Sequence, residues 1–148
     1  MLSAIGSPVL KTRAVGSGQA MKALNNLVST GGFLIRIEAL LIGQRFGLDP
    51  SVMTDVLNAA TGMNNSTRKK FKQLVLSRTC DASFTMGLLA KDLSLALQIG
   101  RETATAAPLS ALVNEMVVSA QAKFGPDVDH TEMARLYELL AGSELEAT

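Results

Sequence analysis

Residues 15 to 26 read VGSGQAMKALNN, two glycines ahead of a lysine and, one helical turn beyond Lys22, the amide of Asn26. Side chains four apart on a helix share a face, so an ammonium and an amide would project together. That pair can hold a hydroxyl and move its proton, because the amide both donates and accepts. The same spacing also describes a solvated lysine on a capped helix start. Two phosphate-cradle readings fail. A dinucleotide fingerprint wants a third glycine where Met21 stands, and a Walker loop wants glycine directly before the lysine and Ser or Thr directly after it.

Other reactive residue types are sparse. Lys91 and Asp92 are adjacent in a helical run, and helix neighbours point about 100° apart, so the two cannot share one role. RKKFK at 68 to 72 could touch phosphate, but without an aromatic platform it reads as a solvated basic face. Asp127, Asp129 and His130 resemble metal ligands in composition. Adjacent positions at a helix start, with one histidine in the chain, argue for capping and for no metal. Cys80 has no activating partner nearby in sequence, which disfavours covalent catalysis. Asn64-Asn65-Ser66-Thr67 contains two glycosylation sequons that read better as helix caps.

These side chains need helices to position them. Aromatics are 4% of the 148 residues and no stretch alternates at period two for long, so the chain is expected to be all-α. A helix is expected from Ser17 to Phe46, with Leu24, Leu27, Val28, Leu34, Ile35, Leu41 and Ile42 on one face and Gly47 as its stop. Phe33, Ile37 and Leu40 add a second apolar face, which marks it as the central helix. Gly31 and Gly32 in its middle imply either a close helix crossing or a bend. Asp49-Pro50 starts a helix through Ala60, a basic helix runs from Ser66 to Ser77, and another spans Met86 to Thr105. Ala107-Pro108 opens a helix to Phe124, and Asp129 with Glu132 has capping-box spacing for a last helix through Leu140. The tail GSELEAT reads as frayed.

The net charge of +1 supplies no overall field for nucleic acid or an anionic membrane, so neither is expected as a partner. One cysteine allows no internal disulfide, and the opening residues lack a secretory pattern, which implies a cytoplasmic protein. FLIRIEALLI is ten residues with two charges, short of a membrane span.

GSGQAMKALNN, the EAL of the long helix, FGLDP and KDLSLAL occur in the order and approximate spacing of the C-terminal half of β-hydroxyacid dehydrogenases, the 3-hydroxyisobutyrate dehydrogenase and glyoxylate reductase group. The resemblance covers Val15 to Leu140. It implies the all-α C-terminal domain of 6-phosphogluconate dehydrogenase-like enzymes, in which NAD or NADP lies mostly on an N-terminal Rossmann domain and the helical domain closes the cleft. It assigns Lys22 as the catalytic lysine, Asn26 as a substrate contact, and Phe84, Lys91 and Asp92 to the cofactor side. Phe84 is either a wall of the nicotinamide pocket or a core anchor for its loop. Residues 1–15 are then expected to be a remnant of the inter-domain connection, 16–142 the helical domain and 143–148 a tail. With no Rossmann half, the chain is expected to be inactive alone. The alternative is a non-catalytic helical module. The expected partners are a second copy, a Rossmann-domain chain and a small hydroxy acid.

Overall fold

The computed structural model describes residues 15–146; most of the expected inter-domain remnant lies outside them. Six α-helices follow in order: α1 (Ser17–Phe46), α2 (Pro50–Ala59), α3 (Asn65–Lys69), α4 (Met86–Glu102), α5 (Pro108–Phe124) and α6 (Met133–Ala141). A π-helical segment (Phe71–Leu76) follows α3, and a 3-10 turn (His130–Glu132) precedes α6. The described residues contain no strand, only an isolated bridge between Thr85 and Asp129.

Local chemistry sets the boundaries. Gly16 and Gly47 flank α1 at φ 84° and 100°, the left-handed region that glycine enters without a Cβ clash. Asp49 caps α2 by accepting from the N–H groups of Ser51 and Val52, with Pro50 in the first turn. Asn64 and Thr67 cap α3 reciprocally, the role read for that polar run.

α1 touches each of the other five helices and packs most extensively on α4. Phe33, Ile37 and Leu40 are fully enclosed, and Phe71, Met86, Leu93, Val117 and Met133 close the core around them. The face expected to be buried is divided. Leu34 and Leu41 are inside, but Leu24, Val28, Ile35 and Ile42 are exposed. The buried arc is centred on the second apolar face, because α4 and the π segment pack there. By length and composition alone α1 would be able to cross a membrane; here it is the hub of a bundle.

Three further expectations are corrected. The glycine pair receives side chains, not a helix backbone: a Cβ on Gly32 would lie 2.5 Å from the Asn64 amide, while one on Gly31 would make ordinary contact with Val113. The Ser66–Ser77 helix is broken at Lys70, whose carbonyl accepts from both Leu74 and Val75, the second bond opening the wider π turn. The tail is docked through Glu146, the last described residue: Leu145 is buried, its N–H donates to Glu138, and Gln44 bonds the backbone at Glu144 and Glu146.

Candidate active site

The first turns of α1 lie beside α4, and this places two grooves on either side of Lys22. Lys22 Nζ is 3.1 Å from Asp92 Oδ2, with the lysine side chain 62% exposed and the carboxylate 14%. The same Asp92 oxygen accepts from Asn26 Nδ2 at 2.7 Å. α1 packs more extensively on α4 than on any other helix, and Ala23 of α1 and Leu89 and Leu93 of α4 are buried. Because Asp92 takes the Asn26 N–H, the amide carbonyl is turned the other way as a free acceptor. Thr30 steadies that turn of α1 by donating to the Asn26 backbone carbonyl at 2.7 Å.

One groove, of about 300 Å³, is lined by Lys22, Asn26, Ser29, Lys70, Phe84 and His130 among others. The second, of about 480 Å³, contains Lys22, Lys91, Asp92, Gln98 and Arg101. Lys22, Asn26 and Phe84 therefore meet in one groove, and Lys91 and Asp92 flank Lys22 in the next. Phe84 lines the groove and packs against the core, and its ring meets His130 edge-on at 5.7 Å between centroids.

Two members of the first groove were not picked out as groove residues. The basic run is only partly the solvated face its pattern implies: Phe71 is in the core and Lys70 reaches inward, its Nζ 2.8 Å from His130 Nε2 and 5.7 Å from the Phe33 ring centroid. Nothing in the alternation of RKKFK separates Lys70 from Lys69 or Lys72; the π turn does that. His130 is buried beneath Phe84, with Nδ1 3.1 Å from the Phe84 carbonyl. Burial and the Lys70 charge hold its imidazole below the ordinary histidine range, against a smaller upward pull from Asp129 and the Phe84 bond. Burial likewise lowers Lys70, partly offset by Asp129.

The acidic residues beside His130 are occupied within the chain. Asp129 accepts from Ala82 N–H, Phe84 N–H and both the N–H and hydroxyl of Thr131. Burial alone would raise its carboxyl, but those bonds and His130 bring it below its usual value. Asp129 thus caps as expected, although the reciprocal box does not form, because Glu132 turns to Arg135. The described residues hold no cluster of three or more metal-ligating side chains. Cys80 is pushed up mainly by burial, so its thiol is a poor nucleophile at neutral pH.

The residues present suit a dinucleotide in their chemistry: Lys91 and Arg101 put two cations in the groove beside Lys22, and the adjoining groove supplies the apolar Phe84 and Leu89. A sequence model described as the NAD-binding domain of NADP-dependent 3-hydroxyisobutyrate dehydrogenase matches residues 16–137. The chain is 28% identical over 142 residues to 2-(hydroxymethyl)glutarate dehydrogenase of Eubacterium barkeri, covering 96% of this chain and 47% of that protein. It is 31% identical over 122 residues to the mitochondrial 3-hydroxyisobutyrate dehydrogenase of Rattus norvegicus, covering 78% and 36%. Among solved structures, Mycobacterium tuberculosis 3-hydroxyisobutyrate dehydrogenase with L-serine superposes with a TM-score of 0.73 at 25% identity, over 82% of this chain and 44% of that one. The chain spans less than half the length of these relatives. The helical fold, the family match over most of its residues and these relatives together show that the chain belongs to the β-hydroxyacid dehydrogenase family of 3-hydroxyisobutyrate dehydrogenase type, whose members use NAD(P).

Proposed function

We propose that this helical domain is the catalytic-lysine half of an NAD(P)-dependent dehydrogenase acting on a small hydroxy acid, completed by a Rossmann-type half across the two grooves. The observation that carries this reading is the Asp92 carboxylate joined to both Lys22 and Asn26. A hydroxyl placed there would point its hydrogen at Lys22, which takes the proton as the neutral amine during oxidation and, as the ammonium, returns it to the developing alkoxide in reduction, while the second Asn26 N–H donates to the substrate oxygen. Asp92 orients both groups and balances the ammonium. When bound, the nicotinamide accepts or supplies the hydride. Lys91 would hold its phosphates, and Phe84 would keep water from the reacting carbon.

Lys22 is mostly exposed, so a second surface is needed to exclude water and bury the cofactor. The chain alone is therefore expected neither to bind dinucleotide tightly nor to turn over hydroxy acids. Titration calorimetry with NAD(P)H reads the first and a nicotinamide absorbance assay the second. Joined to a Rossmann half from a related dehydrogenase, it should reduce NAD(P)+ with a hydroxy acid, and lose that activity with Lys22→Ala. Activity unaffected by Lys22→Ala would remove the assignment.

A homodimer is part of the proposal. Val28, Ile35 and Ile42 form an exposed stripe on α1, and Ile35 shares an apolar groove with Leu109 and Leu112 of α5. A stripe of this kind favours a protein partner. It also supports the second reading, a helical association module without catalysis; a monomer by light scattering at tens of micromolar would count against both. We place the protein in a reducing cytoplasm, consistent with its single cysteine, with no nucleic-acid or membrane partner and no metal.

A further inference from the structure

We propose that Lys70 is a specificity-determining residue that binds a second anionic group of the substrate, so that the preferred hydroxy acid carries a carboxylate away from the reacting carbon. This rests on the dehydrogenase reading above. The geometry first fixes the protons. The Phe84 carbonyl can only accept, so His130 Nδ1 carries the hydrogen and Nε2 the lone pair, and Lys70 donates to Nε2 across 2.8 Å. An ammonium has three N–H donors, and this is the one described hydrogen bond that the Lys70 ammonium makes. Among the described residues no carboxylate lies within ion-pair distance of it: Asp129, the acid nearest in effect, is committed to Thr131, Ala82 and Phe84.

Lys70 is thus a half-buried cation, balanced by a neutral ring and the Phe33 face, with spare donors in the groove that also holds Lys22 and Asn26. The Ser29 hydroxyl lines the same groove. Lys22 already has Asp92. When a second surface covers the groove, Lys70 loses its remaining water, and an unpaired buried cation is strongly unfavourable. A molecule with an anionic group at that end removes the penalty, whereas one ending in a methyl group leaves it. The two ammoniums enter from different walls, Lys22 from the start of α1 and Lys70 from the end of α3. A hydroxyl end and a distal carboxylate would therefore be met separately.

A phosphate of the cofactor offers the same chemistry, and the test separates the two. The full chain, labelled with 15N, is titrated with glutarate, butyrate and pyrophosphate while the His130 ring nitrogens and the Asn26 side-chain amide are followed by NMR. The expected result is a saturating response of both residues to glutarate, at least about tenfold tighter than to butyrate. Lys70→Met should abolish that difference and Lys70→Arg should retain most of it, with core methyl signals unchanged in both. Equal responses to glutarate and butyrate, no response to glutarate, a glutarate response that survives Lys70→Met, or a Lys70-dependent response to pyrophosphate alone each overturns the proposal. The readout needs no hydride transfer. A two-domain enzyme inert towards every hydroxy acid would sink the dehydrogenase reading while leaving the anion response at Lys70 measurable.

Discussion

Lys22 and Lys70 line one groove and are built in opposite ways. Lys22 stands on the first turns of a helix with α4 on one side and solvent on the other, tethered by a single carboxylate and mostly exposed. Lys70 sits where α3 gives way to the π segment, over the Phe33 ring and against a buried imidazole. The first corner has its chemistry in place but lacks an enclosure. The second has its enclosure but lacks a counter-ion. A reacting group benefits from a site that closes only around its substrate, whereas a recognition group benefits from being rigid beforehand.

Breaking the enclosed corner should cost the most. Phe33 is fully buried, meets the Phe71 ring at a 42° tilt with 5.2 Å between centroids, and floors Lys70. Phe33→Ala is expected to lower unfolding free energy by about 3–5 kcal/mol in urea melts. A loss below about 1 kcal/mol would mean that the corner is not part of the core. Lys22→Ala should do the reverse. Stability should stay within about 0.5 kcal/mol, since the ion pair is surface-exposed. Turnover of the two-domain enzyme should fall on the order of a hundredfold, with cofactor affinity nearly unchanged in a direct binding assay.

Asp92→Asn sharpens the comparison. It keeps the shape, removes the charge that balances Lys22 and lets the Asn26 amide rotate. Turnover should fall about tenfold, with the Asn26 side-chain amide signal shifted in NMR spectra and the His130 ring signals unmoved. Movement of both would mean that the two corners are one coupled unit.

The smallest effect is the pH dependence of the enclosed corner. His130 is harder to protonate folded than unfolded, so its contribution to stability is intact above the unfolded value of 6.5 and declines as pH falls from there through the lower folded value. Asp129 is also held low, but its contribution is lost only at more acidic pH, as its carboxylate protonates. Between pH 6.5 and 5, melts should show a decline no steeper than about 1.4 kcal/mol per pH unit. His130→Gln should flatten it; an unchanged slope would assign it elsewhere.

Much of the architecture was legible in the residues because local chemistry decides it. Gly47, Asp49-Pro50, Asn64 to Thr67, Ala107-Pro108 and Gly125 each terminate or start a helix for reasons confined to a few neighbouring atoms. The pairing of Lys22 with Asn26 was equally readable, since helix geometry sets a four-residue spacing. That Asp92 joins them, across 66 residues from Asn26, is a tertiary contact that no spacing records.

What the tertiary structure alone decided are the choices among chemically equal candidates. α1 carries apolar residues on nearly all sides, and its own pattern did not say that Phe33 and Ile37 are covered while Val28 and Ile42 stay exposed; the position of α4 settled that. The tail became ordered because Glu138 and Gln44 offered partners to its backbone. Lys70 differs from Lys69 and Lys72 through one wide turn and a histidine 60 residues away. By itself the sequence determined most of the helices, many of their ends and the face shared by Lys22 and Asn26. Which cation the fold encloses, and which it leaves open, depended on packing between distant segments, because burial is a property of the assembled core and a chain pattern records only the tendency towards it.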